Sequence, residues 1–357
     1  MTLTQTAAIV RQVVTVSIIA LVLGTISFIG YRMWYAYYLA HLPPVEEKPD
    51  IRFGPLPPVN FPKSKVSTSN FSYSLDTTTG GLPKIGVDSG FEKITKVYFV
   101  TQTFATFLSA DRSSALAANF GLVAPPEILS DTKYKYTDQN EATSLLRNKT
   151  LTVELDSGNF SYRNEATISG KVNLDNDNKL VSDFEQTLTT LGVMKDDLKT
   201  GRTKVTFLKN AGEALIPTQL RSEAVAAQIS LWPSPIDKKS IFTADFDKSL
   251  VNAVVSGSAD KLDYYLSLDF IYYPIDTSTF ATYPIKEAEV AFEDLKSGKG
   301  VVISEPKSPQ VSITSIYLGY FLSDEYSPYL QPIFIFEGPN FVAYVAAISG
   351  EFQSPAK

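Results

Sequence analysis

Residues Val13 to Tyr31 read VVTVSIIALVLGTISFIGY, a stretch of about nineteen residues without a single charged side chain. An apolar helix needs about 20 residues to cross the hydrocarbon core of a bilayer. Because a lone segment in hydrocarbon must satisfy its own backbone hydrogen bonds, it has to be helical there. The sequence therefore predicts a transmembrane helix over residues 13–35, preceded by a short cytoplasmic tail at residues 1–12.

The residues that follow this stretch favour an uncleaved anchor over a secretory signal peptide. A signal peptide has an apolar region of about 7–15 residues, which ends in small residues at the cleavage site. Here the apolar stretch is longer, and it is followed by Trp34 and the bulky sequence YAYYLA at residues 35–40. Aromatic side chains in this position are typical of a membrane interface. We therefore expect a single-pass protein of the cell membrane.

The orientation of the predicted span has to be inferred from flanking charges that are nearly balanced. Arg11 precedes the span, whereas Arg32 follows it together with Glu46, Glu47 and Lys48. Neither flank therefore has the clear excess of Lys and Arg that marks the cytoplasmic side. Because the short N-terminal tail holds no domain, we expect the bulk of the chain to lie outside the cytoplasm.

Composition predicts a folded body that does not bind nucleic acid. Of the 357 residues, 44% are apolar, including 22 Phe and 19 Tyr, which is enough to build a core. The net charge is −6, and it becomes −8 when Arg11 and Arg32 are left out. Binding to nucleic acid requires clustered basic side chains, so we expect no such partner. The absence of cysteine excludes disulfides and thiolate metal sites.

A proline-rich segment separates the predicted span from the body. Residues 41–62 contain seven prolines, including the minimal PxxP motif Pro55 to Pro58. Proline fixes φ and lacks an N–H donor, so the segment predicts a semi-rigid spacer, with a docking motif as the alternative. We assign residues 36–69 to this linker, residues 70–175 to a first α+β module and residues 176–357 to a second α+β region.

Three amphipathic stretches predict helices in the body, at residues 111–120, 181–191 and 285–295. Gly121 and Gly192 follow the first two helices in the same way, and each helix leads into a strand. This echo, about seventy residues apart, predicts two related α+β units. The side chains expected to face inward are Leu180, Phe184, Leu188 and Leu191 of the second helix and Ala288, Ala291, Phe292 and Leu295 of the third.

Short runs of β-branched and aromatic residues predict strands in the rest of the body. The clearest signal is a hairpin, in which residues 151–155 and 160–162 flank a turn at Asp156 to Asn159. Further strands are predicted near residues 71–75, 133–137, 205–208, 227–232, 253–256, 264–273, 311–321, 333–336 and 341–348, while residues 94–107 fit a strand or the start of a buried helix. The expected fold class is therefore α+β, with one transmembrane helix and tandem antiparallel sheets, each packed by a helix.

Four motifs near the C-terminus carry a resemblance to a known family. They are YPIKEAEVAFEDLKSG at residues 283–298, IYLGYF at 316–321, LQPIF at 330–334 and YVAAISG at 344–350. In content and order they resemble the last unit of the YycH/YycI family and, more broadly, PepSY-like modules. The family often has Trp near this position, and Phe334 of this chain departs from that pattern.

The resemblance implies single-pass membrane proteins that expose cystatin-like α+β domains outside the cell. It also implies that such proteins are not enzymes, and that they bind and restrain an envelope-sensing histidine kinase. The family has no catalytic residues to transfer, so the resemblance supplies none for this chain.

The sequence contains no motif that assigns a catalytic, cofactor-binding or metal-ligating residue, and we expect none. His41 is the only histidine, so His-based triads and multi-histidine metal sites are excluded. Residues 175–178, DNDN, fail as an EF-hand because Lys179 and Leu180 occupy positions five and six, so we expect a helix-capping turn there. The acidic pairs at residues 196–197 and at 287 and 289 are expected to be solvated surface.

The leading hypothesis is therefore a non-catalytic, extracytoplasmic binding or regulatory protein with a membrane or envelope protein as its partner and no cofactor. Two alternatives stay open at this stage. One is a structural component of a cell-envelope or secretion assembly, which large exposed apolar patches would favour. The other is a carboxylate-dependent enzyme of envelope glycan, which requires two facing carboxyl groups with a raised pKa in a concave pocket.

Overall fold

A computed structural model describes residues 3–40, 48–76, 90–138, 149–165, 173–212, 214–257 and 264–355. Contacts within the chain divide it into two compact units, Met1–Lys48 and Pro49–Lys357. The first unit contains one apolar helix, and the second, which we call the body, contains the sheets. The observed fold class is α+β with an N-terminal apolar helix, which confirms the sequence-based prediction. His41 and residues 77–89 are among those that lie outside the described residues.

Helix α1 spans Leu3–Ala40 and contains the apolar stretch found in the sequence. Within it, Val13–Tyr38 is a 26-residue segment that is long and apolar enough to cross a membrane, and its apolar window is not buried in the protein. Four aromatic side chains near its end lie at i, i+3 or i+4 spacing with ring centroids 5.7–6.2 Å apart: Tyr31, Trp34, Tyr35 and Tyr38. Residues 36–40, which the sequence placed in the linker, continue the helix.

The described part of the body contains four α-helices, three short 3₁₀ helices and eighteen strands. The α-helices are α2 Ser109–Asn119, α3 Asp177–Thr190, α4 Asp196–Lys199 and α5 Ala288–Lys296. The strands of the first half are β1 Ser72–Leu75, β2 Ile94–Val100, β3 Glu127–Ser130, β4 Lys133–Thr137, β5 Lys149–Glu154, β6 Phe160–Asn164, β7 Thr203–Ala211, β8 Ala214–Pro217 and β9 Ala226–Leu231. Those of the second half are β10 Ile241–Phe242, β11 Val251–Ser256, β12 Tyr265–Phe270, β13 Ile275–Pro284, β14 Val301–Ser304, β15 Gln310–Ile313, β16 Ser315–Phe321, β17 Tyr329–Gly338 and β18 Phe341–Ala346.

The larger sheet has nine antiparallel strands in the order β3-β4-β5-β6-β12-β11-β9-β7-β8. It consists of two strand series that follow α2 and α3 respectively and join where β6 pairs with β12: β3 to β6, and β7, β8, β9, β11 and β12. Phe160 and Phe270 stack across this join with their ring centroids 5.6 Å apart. Gly121 and Gly192 follow the two helices with φ of +77° and +73°. The two halves therefore share an order of elements, as the sequence echo predicts.

Strand pairing in the body crosses the boundary between residues 175 and 176 at which the sequence analysis divided it. Strand β6 precedes that boundary but pairs with β12, which follows it. Strand β2 likewise pairs with β13 and β17. Because main-chain hydrogen bonds can join any two strand edges, the local sequence pattern of one module cannot reveal that its edge strands complete the other.

Of the two large sheets, the smaller has seven strands and is covered on both faces, while β1 and β15 form a separate parallel two-stranded sheet. Its path is β10-β16-β17-β18-β14, and β2 joins β13 to β17. Helix α5 packs on one face, where Ala288, Ala291, Phe292 and Leu295 are buried as predicted. The cluster on the other face, which we call the outer-face cluster, consists of Phe242, Val301, Phe321, Ile333, Ile335, Val342 and Tyr344.

Residues 49–66, which we call the strap, pack against this sheet. Leu56 is buried in the cluster beneath α5, and it bridges to Gln353. Val59 and Phe61 pack on the outer-face cluster, and the Phe61 ring lies 5.1 Å from the ring of Phe321. The Gln331 side-chain amide donates to the Pro57 carbonyl over 2.8 Å. This part of the linker, with its PxxP motif, thus belongs to the body, which differs from the spacer that its prolines predicted.

The starts of three helices differ from the sequence-based expectation. Helix α5 begins at Ala288 rather than at residue 285, because Ile285 continues the extended backbone and bridges to Ile348. Helix α2 begins at Ser109 rather than at residue 111, without a side-chain cap, so Asp111 lies in its first turn. Helix α3 begins at Asp177 rather than at residue 181, so Asp177 and Asn178 of the expected capping turn are helical. Its cap is Asn176, whose side chain accepts the Lys179 N–H over 2.9 Å.

Candidate functional site

A cavity of about 640 Å³ lies in the body where the ends of the two sheets meet. Four segments line it: strand β2, the residues around the start of α4, the turn at residues 233–237, and the connection from β12 into β13. Their polar side chains are Lys96, Tyr98, Lys195, Asp196, Asp197, Ser234, Asp237, Tyr272 and Thr277. The cavity therefore presents ammonium, carboxylate and phenol groups from parts of the chain that are distant in sequence.

A tight turn with an unusual backbone forms one side of this cavity. The amides and carbonyls of Ile236 and Lys239 exchange two hydrogen bonds of 3.0 and 2.9 Å. The two residues between them, Asp237 and Lys238, have φ of +48° and +62°. Side chains other than glycine are disfavoured in this conformation, and the surrounding structure must compensate for the strain. Two such residues in succession at a cavity make the turn a candidate binding element.

Asp237 is held in place by two side chains of β2. The Tyr98 hydroxyl donates to its carboxylate over 2.5 Å, and the Lys96 ammonium lies 3.1 Å from the same oxygen. The hydrogen bond from Tyr98 lowers the pKa of Asp237, and Lys96 adds to this effect. Burial, together with the hydrogen bond to Asp237, raises the pKa of the Tyr98 phenol. At neutral pH the carboxylate is therefore ionised and the phenol is protonated.

A second pair of hydrogen-bonded polar side chains, Tyr272 and Asp197, lines another part of the cavity wall. The Tyr272 hydroxyl donates to the Asp197 carboxylate over 3.0 Å, and the ammonium of Lys195 lies 5.8 Å from the centre of the Tyr272 ring. Burial raises the pKa of the Tyr272 phenol, and the charge of Asp197 raises it further. The Ser234 hydroxyl donates to the Asp197 backbone carbonyl over 2.9 Å, which ties the 233–237 turn to α4.

The arrangement is suited to binding a polar ligand through fixed charges and hydrogen bonds. Asp237 accepts a proton less readily than an ordinary aspartate, so it is a poor general acid near neutral pH. Within the described ranges, no group of three His, Cys, Asp or Glu side chains could hold a metal ion. The sequence-based expectation that the chain has no catalytic, cofactor-binding or metal-ligating residues stays a prediction.

The sequence-based prediction is correct for part of this surface, but it did not identify the residues at the centre of the cavity. Asp196 is fully exposed, as expected for a solvated face, whereas its neighbour Asp197 binds Tyr272 and lines the cavity. The interpretation of both as solvated surface is therefore wrong for Asp197. Tyr98 and Asp237 lie far apart in sequence, and the turn at Asp237 contains neither Gly nor Asn to signal it. Glu287 and Glu289 are exposed, as expected.

No protein-family model and no curated protein matches this chain. A crystal structure of an uncharacterized protein from Eubacterium rectale ATCC 33656 is similar to it, with a TM-score of 0.41 and 11% sequence identity. The likeness covers 75% of this chain and 88% of that chain. A likeness at this level carries no argument about function, so the resemblance to the YycH/YycI family rests on the sequence motifs alone.

Proposed function

We propose that this chain is a non-catalytic, membrane-anchored protein that binds a membrane or cell-envelope protein outside the cytoplasm and regulates it. The observation that carries this proposal is the cavity around Asp237, in which charged side chains of both signs are held in fixed positions. The exposed apolar helix Val13–Tyr38 supports the membrane anchor. The sequence resemblance favours an envelope-sensing histidine kinase as the partner.

The cavity has the properties of a specific polar recognition site. Lys96 and Asp237 hold each other in position, so each side chain loses less conformational entropy when a partner binds than a free side chain would. Lys195 is exposed, and its ammonium has only the ring of Tyr272 as a neighbour among the contacts described. It is therefore the group that we expect to pair with a carboxylate of the partner, because charge-assisted hydrogen bonds are the stronger ones.

The same geometry favours binding over the hydrolysis of envelope glycan. A glycosidase needs one carboxyl group whose raised pKa keeps it protonated beside a second, ionised carboxylate. The pKa of Asp237 is shifted in the opposite direction by Tyr98 and Lys96. A carboxylate in that state can hold a cationic or hydrogen-bonding group of a partner, but it cannot protonate a leaving group efficiently.

Site-specific photo-crosslinking in native membranes tests this proposal. A photoreactive amino acid replaces Thr277, which lines the cavity, in the full-length chain, and a matched variant carries it at Ala214 on the exposed strand β8. We expect a discrete adduct with a membrane or envelope protein from position 277 and none from position 214. Mass spectrometry of the adduct then establishes whether the partner is a histidine kinase.

A charge substitution sharpens the test. Lys195→Gln should lower the yield of the adduct at position 277 by about tenfold, the effect of losing about 1.4 kcal/mol of binding energy. Lys209→Gln, on strand β7 and paired with Glu223 at 2.8 Å, serves as the control and should leave the yield unchanged. The proposal fails if position 277 gives no adduct, or if positions 277 and 214 give the same adducts.

A further inference from the structure

The loop between β2 and α2 exposes aromatic side chains that no described residue of the body covers. Residues 101–108 read TQTFATFL and contain no charged side chain. All eight residues are exposed, with Phe104 at 72% and Leu108 at 56%, and Phe107 is fully exposed. Phenylalanine and leucine are among the residues most often buried in folded proteins, so two Phe and one Leu in one exposed turn call for an external partner.

The loop is held in a defined conformation at both of its ends. The Thr101 N–H donates to the Pro274 carbonyl over 2.8 Å, which continues the pairing of β2 with β13. At the other end the Thr106 N–H donates to the Ser109 hydroxyl over 2.9 Å, and the Ser109 N–H donates back to the Thr106 carbonyl over 2.9 Å. These reciprocal bonds fix the start of α2, and with it the position of Phe107 and Leu108.

We propose that this loop inserts its apolar side chains into the interfacial region of a lipid bilayer. Aromatic and leucine side chains on an uncharged surface are the groups that enter the boundary between headgroups and acyl chains. Threonine and glutamine in the same loop can hydrogen-bond at headgroup depth, where water and lipid polar groups are available. The combination fits an interface better than it fits the dry interior of a protein complex.

The apolar helix of this chain favours a membrane over a protein as the surface that the loop contacts. Helix α1 contains a candidate membrane span, and a tethered surface meets its target at a high effective concentration. Weak insertion by one short loop is then sufficient, whereas a protein partner would have to be found by diffusion. The inference uses the anchor of the proposed function but not its protein partner, so either can fail without the other.

The neighbouring charges predict which lipid the loop prefers. Acidic side chains lie close by, since Glu154 and Asp156 share a surface cavity with Phe104 and with Arg112. Anionic headgroups would be repelled by these carboxylates, so insertion should depend on apolar contact and respond little to salt. We therefore expect phosphatidylcholine to be sufficient, and phosphatidylglycerol to give no gain.

The absence of cysteine makes spin labelling a direct test of this proposal. A nitroxide is attached to Ala105→Cys in the loop, or to Ala214→Cys on β8 as the matched control, in the full-length chain reconstituted into phosphatidylcholine vesicles. Both alanines are exposed. We expect the label at position 105 to collide more often with oxygen than with an aqueous nickel chelate, and the label at 214 to show the reverse.

Two further measurements decide between a bilayer and a protein as the occupant. Phe104→Ser combined with Phe107→Ser should return the label at position 105 to the aqueous signature of position 214. The proposal is overturned if the label at 105 is already aqueous in vesicles of the unsubstituted loop. It is also overturned if labels at 105 show dipolar broadening between copies, since the loop would then bind a second chain.

Discussion

Strands β5 and β17 lie in the two large sheets of the body and differ in how they are buried. In β5, KTLTVE, buried and half-buried residues alternate, whereas β17, YLQPIFIFEG, has seven consecutive buried residues from Leu330 to Phe336. Side chains along a strand point alternately to the two faces of its sheet. The nine-stranded sheet is therefore covered more fully on one face at β5, and the seven-stranded sheet is covered on both faces at β17.

The difference shows what the strap contributes. Helix α5 covers one face of the smaller sheet, as helices cover one face of most α+β sheets. Val59 and Phe61 of the strap pack against the other face, which holds Ile333 and Ile335. Coverage of both faces explains a strand without alternation, a pattern more often seen in parallel sheets.

The largest expected effect comes from testing both faces of β17 directly. Phe334→Ala should lower the free energy of unfolding by about 3–5 kcal/mol and Ile335→Ala by about 2–5 kcal/mol, because both side chains are fully buried on opposite faces. On β5, Thr152→Ala should change it by less than about 0.5 kcal/mol. Urea denaturation of the full chain in detergent measures all three changes. If Ile335→Ala lowers the free energy of unfolding no more than Thr152→Ala does, the proposed difference between β17 and β5 is wrong.

Sequence patterns predicted most of the strands because periodicity is a local property, but they missed β3, β8, β10, β13 and β14. The alternation around Leu151 and the apolar run from Ile333 to Phe336 in β17 are both visible in the sequence, and both correspond to the observed burial. Hydrophobic spacing also predicted the inward faces of α3 and α5, where Phe184 and Phe292 are buried. These predictions needed only the geometry of one element at a time.

Long-range pairing could not be predicted in the same way. The strap has no periodicity, and its prolines indicate an extended backbone without indicating whether that backbone lies in solvent or against a sheet. The candidate cavity requires Tyr98, Asp197 and Asp237 to meet, and each belongs to a different segment of the body. Whether these residues lie close together depends on the strand order of the two large sheets. Local sequence patterns do not indicate that order.

The second prediction removes one contact of the strap. Phe61→Ala should lower the free energy of unfolding by about 2 kcal/mol, because a half-buried ring is lost from the outer-face cluster. The exposed Lys63 and Lys65 should also be cut faster by trypsin in this variant. Pro58→Ala is the control, since Pro58 is exposed, and it should change neither quantity. Equal stability of Phe61→Ala and Pro58→Ala would mean that the strap behaves as a free spacer.

The third prediction concerns the face covered by α5. Near the C-terminal end of that helix the buried Asp294 is bound by Lys299 at 2.8 Å and by Lys286 at 3.0 Å. Burial raises the pKa of Asp294, but the two lysines outweigh this and the net pKa is lowered. A carboxyl group with a lowered pKa in the folded state stabilises the protein above its unfolded pKa. That contribution is lost as the pH falls through the folded value.

Asp294→Asn should therefore cost about 1–2 kcal/mol at pH 7, less than a fully buried ion pair because Lys299 is largely exposed. The difference from the unsubstituted chain should shrink as the pH is lowered below about 4, the unfolded pKa of aspartate. Urea titrations at several pH values measure both effects. Glu293→Gln is the matched control on the same helix, since its pair with Lys296 is exposed. A cost for Asp294→Asn that is constant with pH would rule out the ionised carboxylate as its source.

The smallest expected effect is at the turn that leads into β10 and forms part of the cavity. Lys238 has φ of +62°, a conformation that glycine adopts without steric cost. Lys238→Gly should raise the free energy of unfolding by about 0.5–1 kcal/mol, because relief of backbone strain exceeds the added entropy of the unfolded chain. Lys238→Ala removes the same side chain without relieving the strain and should give no gain. If both variants are equally stable, the turn is unstrained, and its backbone no longer distinguishes the cavity as a binding element.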